Sequence, residues 1–489
     1  MKGSNELDLL QDKVDRNDAS PQERQHFILL LQKAQRHGEI AHYLDWWEAE
    51  SAKTSPKISQ EESEIPATSK TSNLNDLLKE ETHLGVVEDE AARIHRYLGL
   101  VEVYVHQLGK FEEAERILRR ALDYHPGEPK LLRRLADLLA LNRGTYTEAA
   151  QLYSQVLQYD PLDESILRML GRIAGHLHAS DRAYGYYSAL LALNPQDVEA
   201  QRFVGHCRPE EPWILERQVR SLSWARHITH PDQHGIMDEL MQTMTPVLRQ
   251  VQPGDLARWG ILGEHRLSLT HPQLLPIRFL FDAMDLHSVD TYLWQAGGMS
   301  CRFEEFKRPT LLIGSDILST CHARERSFLI ARMTYLYAQG HVLCEKLDVH
   351  ALASLFASFC CLADVDGVYG TNAETQVWHT LVDGEIGSDA RKGLQALVPI
   401  YAGMVDANVV NEWRMATLMT ADRVALLLSC DVDEALEALF RYRNIELGKT
   451  GRLKLFQNYP PARELFRFAV SEAYFDLRQR LGWTLRLQN

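Results

Sequence analysis

Cysteine is scarce in this sequence and is absent from the first 206 residues. The seven cysteines stand at positions 207, 301, 321, 344, 360, 361 and 430, and none forms a C-x-x-C pair. An odd number without paired spacing excludes a disulfide framework and a zinc ribbon. The pattern is typical of reduced thiols, and it predicts a cytoplasmic protein.

Long apolar runs, a leader sequence and an excess of cations are also lacking. No stretch of about 18 apolar residues occurs, so no transmembrane helix is predicted. The opening MKGSNELDLLQDKVD has no charged-then-apolar pattern, so no secretory signal is expected. Lys and Arg number 53 against 67 Asp and Glu, which gives a net charge of −14. This charge excludes a general binder of nucleic acid or anionic lipid, because such binding depends on clustered cations.

What is present is a long chain of ordinary globular composition. Its 489 residues, 45% of them hydrophobic, suggest two to four structural units. We predict a helical N-terminal segment at 1–50 and a flexible linker at 51–75, which is poor in apolar residues. A helical repeat array over 76–210 and an α+β domain over 211–489 follow.

A repeat stands out in the array. Three similar blocks are FEEAERILRRALDYHP at 111–126, YTEAAQLYSQVLQYDP at 146–161 and DRAYGYYSALLALNP at 181–195. Each block has a small residue early in its helix, a large residue four positions later and a closing proline: Ala114, Leu118 and Pro126; Ala149, Tyr153 and Pro161; Ala183, Tyr187 and Pro195. This spacing lets two helices pack closely, and the proline ends the second helix.

These blocks, together with Leu170-Gly171, resemble the tetratricopeptide repeat family over about 90–210. The resemblance implies three repeats and a final helix. It also implies a groove for binding protein segments, and no chemical reaction.

A row of cations follows from this resemblance, since set positions of each first helix line the groove in the family. Counting from Leu170-Gly171 and Val204-Gly205 places Arg168 and Arg202 at equivalent positions. The complete predicted peptide-binding set is Lys130, Arg133, Arg168, Arg172 and Arg202. Such a row favours acidic peptide segments as partners. The alternative is an ordinary solvated helix face.

The second half changes character near 275. VDTYLWQ, GGMSCRFEEFK and TLLIGS are predicted strands, and a long helix is predicted from about 323 to 345. Everything beyond 350 is predicted to be helical, including a terminal helix at 461–480.

Three stretches of this half, RPTLLIGSDIL, ARERSFLIARMTYLYAQGH and ATLMTADRVALL, resemble the zincin peptidases of the HtpX and CAAX prenyl protease type over about 215–440. In that family one helix carries H-E-x-x-H, whose two histidines bind zinc and whose glutamate is the general base. A later helix supplies a glutamate ligand four residues before an aspartate.

The resemblance implies that the metal site has been lost. Glu325, His341 and Asp422 match accessory positions of the family. The two histidine positions hold Arg332 and Leu336, the general-base position holds Met333, and the glutamate-ligand position holds Leu418. None of these four side chains serves as a zinc ligand or a base, so the family's hydrolysis is not expected.

Two weaker patterns have mainly structural interpretations. His227, His230 and His234 have spacings that bind metal on a helix, but Pro231 argues for a polar loop instead. Cys360-Cys361 lies in an apolar run and is interpreted as a pair of structural thiols.

The sequence therefore predicts a mostly α protein, with an N-terminal α-solenoid followed by an α+β domain that has a small sheet and long helices. We predict a non-catalytic scaffold or adaptor, with no cofactor, no metal and no nucleic acid or membrane partner. Other proteins, including acidic peptide segments, are the expected partners. The alternatives are a metal-dependent peptidase with non-standard ligands and a structural subunit of a larger bacterial assembly.

Overall fold

The computed structural model describes most of the chain beyond residue 88. The described residues are 89–207, 228–233, 235–251, 256–270, 274–306, 308–365, 372–402, 407–445 and 452–482. They all belong to one compact unit, Glu81–Asn489. The predicted N-terminal helical segment and linker lie outside the described residues.

The first part of this unit is an array of antiparallel helix pairs. The helices are α1 Glu90–Glu102, α2 Phe111–Tyr124, α3 Pro129–Leu139, α4 Tyr146–Tyr159, α5 Glu164–His176, α6 Ser180–Leu193 and α7 Val198–Cys207. One π-helical turn, Val103–Gln107, extends α1. The prediction of three helix pairs followed by a final helix is confirmed.

The alternation of small and large residues explains why the two helices of each pair pack closely. Ala114, Ala149 and Ala183 are completely buried in the second helix of each pair. In the third pair Gly171 lies against the Tyr187 ring, and a Cβ at this position would stand 2.8 Å from it. A larger residue at Gly171 would therefore push α5 away from α6.

The second part combines further helices with a small sheet. It contains α8 Gly235–Val251, α9 Leu275–Ala283, β1 Asp290–Trp294, β2 Cys301–Glu305, β3 Pro309–Gly314, α10 Ser315–Ser319, α11 Ala323–Ala338, α12 Leu343–Lys346, α13 Val349–Leu362, α14 Ala373–Glu385, α15 Ser388–Ala402, α16 Ala407–Ser429, α17 Val432–Tyr442, α18 Arg452–Asn458, α19 Pro460–Ala469 and α20 Glu472–Leu481. The strand order is β1-β3-β2, with β3 parallel to β1 and antiparallel to β2. The predicted fold class and the three predicted strands are confirmed.

Two predicted helices are shorter than expected. The helix predicted over 323–345 ends at Ala338, because Gly340 adopts a left-handed φ of 78° and turns the chain toward α12. The helix predicted over 461–480 is two helices, α19 and α20. It breaks at Val470-Ser471, where the Ser471 side chain accepts a hydrogen bond from the Tyr474 amide and caps α20.

The core of the second part is the contact between α11 and α16. Every residue of α11 from Arg324 to Tyr337 is buried, and so is every residue of α16 from Thr420 to Ser429. A helix that is buried on all sides lies at the centre of a domain instead of on its surface.

A third helix, α6, is buried in the same way, and it connects the array to the second part. All of its residues from Ala183 to Leu190 are buried. One side packs against α5 and α7, and another packs against α17, α18 and α19. The second helix of the last pair is therefore shared by both parts of the unit.

Polar contacts fix this junction. The Arg478 guanidinium of α20 forms two hydrogen bonds to the Asp181 carboxylate of α6, at 3.0 Å and 2.5 Å, and both side chains are buried. The Tyr184 hydroxyl donates to Asp431, 2.6 Å away. The Phe475 ring of α20 fills the space above Gly185, where a Cβ would stand 2.5 Å from it.

We predict that Asp181→Leu lowers the free energy of unfolding by about 3–5 kcal/mol, because it leaves the Arg478 charge buried without a counter-ion. Adding Arg478→Met should recover much of this loss, since a buried ion pair replaced by apolar groups is often close to neutral. Urea unfolding of the two single variants and the double variant measures the coupling. Additive losses in the double variant would contradict the assigned pairing.

Candidate functional site

The five cations predicted to bind peptide all lie on first helices of the array. Lys130 and Arg133 are on α3, Arg168 and Arg172 are on α5, and Arg202 is on α7. They therefore lie on three successive first helices, and we call this set the cation row.

Three members of the row bind acidic residues at the start of the next first helix along the chain. Arg133 binds the Asp163 carboxylate at 2.5 Å and the Ser165 hydroxyl at 2.6 Å. One repeat further on, Arg168 binds Asp197 at 2.5 Å. In each case the arginine of one first helix contacts the residue that precedes the following first helix, so the contact joins neighbouring repeats.

The third engaged member is Arg172, whose Nε and Nη2 atoms donate to Glu199 at 2.9 Å and 2.7 Å. Glu199 also accepts a hydrogen bond from the Tyr187 hydroxyl at 2.7 Å. Burial opposes ionisation of Glu199, but these hydrogen bonds and the nearby guanidinium outweigh it, so the pKa of Glu199 lies below its usual range.

Asp163 and Asp197 also cap the helices that they precede, which explains their positions. Asp163 accepts hydrogen bonds from the amides of Ser165 and Ile166, and Asp197 accepts one from the amide of Ala200. Each aspartate thus caps its own helix and holds an arginine of the preceding repeat. Burial raises the pKa of Asp163, but its hydrogen bonds and Arg133 lower it by more.

Sequence reasoning identified these arginines but missed their partners. The signal was present, because Asp163 stands five residues before Arg168 and Asp197 stands five residues before Arg202. An aspartate directly before a helix is a typical cap, and its recurrence at the repeat period marks a repeated contact.

Lys130 and Arg202 differ from the other three members. Both side chains are exposed, and within the described part of the chain neither has an ion-pair partner. They are the cations of the row that are most accessible to an anionic ligand.

The positions aligned with the zincin motif lie in the α11–α16 core. Arg332, Met333, Leu336 and Leu418 are all buried. The Arg332 guanidinium contacts Asp422 at 2.5 Å and Glu345 at 2.9 Å. These residues do not fit a zinc ion, because the centre of the cluster is itself a cation. Across the described ranges, no group of three or more His, Cys, Asp or Glu side chains is placed to hold a metal.

The pKa values of the two carboxylates around Arg332 are shifted in opposite directions. Burial raises the pKa of Asp422. Burial also opposes ionisation of Glu345, but the Arg332 and Arg443 guanidinium groups outweigh it, so its pKa lies below the usual range. Tyr442 donates a further hydrogen bond to Glu345 at 3.0 Å. The cluster is a buried ionic network with a structural role.

The accessory positions also have structural roles. Glu325 accepts a hydrogen bond from the His322 amide at the start of α11 and forms an ion pair with Arg441. His341 is buried against Trp413, and burial lowers its pKa to about 4 although Asp238 lies 3.3 Å away.

The polar loop predicted at His227, His230 and His234 is only partly described, since His227 and His234 lie outside the described residues. His230 is described, and its ring accepts a hydrogen bond from the Asp232 amide in a turn. All seven cysteines are free thiols, and six of them are buried. No described helix combines the length and apolar character that crossing a bilayer requires.

Comparison with known proteins gives a family match for the repeat array and for no other part of the chain. Residues 107–164 and 138–198 match the model of the tetratricopeptide repeat family. This is less than half of the chain, and it agrees with the helix pairs described above. No curated protein and no solved structure gives a significant match. The resemblance of 215–440 to zincin peptidases therefore stays a prediction from the residues.

We predict that Arg332→Met lowers the free energy of unfolding by about 3–5 kcal/mol at neutral pH, because Asp422 and Glu345 lose their central cation. Without Arg332, the folded-state pKa of Asp422 rises further above its unfolded value. The deficit of the variant relative to the wild type, which has the same His341, should therefore shrink as the pH falls toward the unfolded pKa of Asp422. Urea unfolding at pH 7 and pH 5 measures this, and a deficit that widens at pH 5 would contradict the assigned network.

A second pH prediction concerns His341. Its folded pKa of about 4 lies below the unfolded value, which is about 6.5. Its contribution to stability is therefore complete above about pH 6.5 and is lost as the pH falls toward 4. Between pH 7 and 5, preferential protonation of His341 in the unfolded state lowers the free energy of unfolding by about 2 kcal/mol. The variant His341→Leu should lack this part of the pH dependence. An unchanged dependence in urea unfolding would show that His341 is not the group responsible.

Proposed function

We propose that this protein is a non-catalytic scaffold that binds segments of other proteins on the first-helix face of its repeat array. The observation that carries the proposal is the asymmetry of the array. The second helix of its last pair is buried from Ala183 to Leu190, whereas the first helices keep exposed side chains along the cation row. Repeat arrays of this family use such a face to bind extended segments.

The chemistry of the row favours acidic segments. Lys130 and Arg202 are exposed, and the side chains of Arg133 and Arg172 retain 43% and 44% of their accessible surface despite their ion pairs. A guanidinium has five N–H donors, so an arginine that holds one carboxylate can still bind another. The row would then present anchoring points about one repeat apart.

The buried Arg332 network supports the non-catalytic part of the proposal. The residues aligned with the zincin motif are buried in the core and do not line a surface that a substrate could contact. The second part instead packs against α6 through its C-terminal helices. We retain 76–210 and 211–489 as the proposed division, with the junction at α6 shared between them. The free thiols support our proposal that the protein resides in the reducing cytoplasm.

The test uses the two exposed cations of the row. Arg168 is unsuitable for charge reversal, since Asp197 depends on it at the start of α7. The variant is therefore Lys130→Glu with Arg202→Glu, and the matched control is Lys392→Glu with Lys454→Glu, which reverses two exposed lysines outside the array. All forms should have the same helicity by circular dichroism.

The probes are synthetic peptides selected by the full-length protein from a random peptide library. We expect the selected peptides to be enriched in Asp and Glu. By fluorescence polarisation they should bind the row variant about tenfold more weakly than the wild type, because each rim charge contributes modestly. The control variant should bind as the wild type does. Selected peptides without acidic enrichment, or equal binding by the row variant, would refute the proposal.

A further inference from the structure

A cleft on the other side of the array is not used by the cation row. It lies between α4 and α6, with the second half of α5 beneath it, and it has a volume of about 520 Å³. This volume lies within the range of ligand-binding clefts, which is roughly 300–1,000 Å³.

The floor of the cleft is apolar and has helical periodicity. It is formed by Leu170, Ile173, Ala174 and Leu177 of α5, which are spaced i, i+3, i+4 and i+7. Leu170, Ile173 and Ala174 are the buried floor, and Leu177, at the end of the stripe, is 44% exposed. These residues form a stripe about 10 Å long, which corresponds to two helical turns. An apolar stripe of this kind accepts the apolar face of a helix.

One wall of the cleft is a row of side-chain amides. Gln151, Gln155 and Gln158 of α4 are exposed and line it at spacings of four and three residues. Amides donate and accept hydrogen bonds but carry no charge. A charged side chain placed against this wall would lose hydration without gaining a counter-ion.

The charged residues among those lining the cleft already neutralise each other. Arg182 of α6 and Glu472 of α20 form an ion pair at 2.6 Å at the rim. The lining of the cleft is thus electrically neutral in a chain whose net charge is −14. A ligand that matches it presents an uncharged contact face.

The intramolecular interface beside the cleft shows what kind of element this face accepts. The helix α20 packs on the same side of α6, with the Phe475 ring over Gly185. The Tyr186 ring contacts Phe475, with 5.0 Å between the ring centroids, and also lines the cleft. The cleft continues the surface on which a helix already lies.

We propose that this cleft binds a helix of a partner protein whose contact face is apolar and uncharged. The helix lies against the α5 stripe, beside α20, and its flanking polar groups pair with the amides of α4. This surface is distinct from the cation row in position and in chemistry, so the proposal does not depend on the proposed function.

The experiment uses the full-length protein and stapled helical peptides of about 15 residues. Each peptide carries Leu, Met or Phe at i, i+3, i+4 and i+7, with Gln, Glu or Lys at the flanking positions. The test variant is Gln151→Glu with Gln155→Glu. The matched control is Gln376→Glu with Gln395→Glu, which introduces the same charges at exposed glutamines of α14 and α15. Thermal unfolding checks that all forms fold.

We expect Gln-flanked peptides to bind the wild type, and charged peptides to bind at least about tenfold more weakly. The test variant should weaken binding of the Gln-flanked peptides about tenfold, since it places charge in the neutral cleft. The control variant and the variant Lys130→Glu with Arg202→Glu should bind them as the wild type does. The last comparison separates this proposal from the cation row.

Three outcomes would overturn the proposal. The first is that no Gln-flanked peptide binds, and the second is that the Gln151→Glu, Gln155→Glu variant binds as the wild type does. The third is self-association of the protein that the same variant abolishes, which would make a second copy of the chain the occupant. Light scattering over a range of protein concentrations detects this last outcome.

Discussion

The burial of α6 from Ala183 to Leu190 is the constraint on which the rest of the structure depends. In an open repeat array the second helix of the last pair would face solvent on one side. Here α6 packs against α5 and α7 on one side and against the C-terminal helices on another. The apolar composition of α6 makes this arrangement favourable, because an exposed helix with so little polar surface would be costly. The Asp181–Arg478 pair and the Tyr184–Asp431 hydrogen bond then specify how the C-terminal helices sit.

This constraint determines which surfaces are left for partners. The face of α6 covered by α20 is not accessible, whereas no described residue covers the first-helix face or the cleft over α5. Their chemistries differ, since arginines and a lysine line one surface and amides with aliphatic side chains line the other. Two chemically distinct surfaces within one compact unit would suit two different partners, as we propose.

The sequence predicted those features that arise from local periodicity. The helix pairs depend on the recurrence of Ala149, Tyr153 and their equivalents, and the three strands depend on short apolar segments, so both were found. The end of α11 was missed because a single glycine, Gly340, turns the chain within an otherwise helical pattern. The partners of Asp181 and Tyr184 lie more than 240 residues away along the chain, and no local pattern indicates such contacts. The cation row was predicted as residues, but its ion pairs were not, because each pair joins two repeats that the pattern treats separately.

Hydrogen–deuterium exchange of the α6 amides in the full-length protein is the most direct test of the account. If α6 is the shared centre of the unit, its amides should exchange as slowly as those of α11 and α16, by global unfolding only. Protection should extend to α20, which is held on α6 by Arg478. Faster exchange of α6 in step with α1–α4, while α11 and α16 stay protected, would show that the array opens independently and would contradict the account.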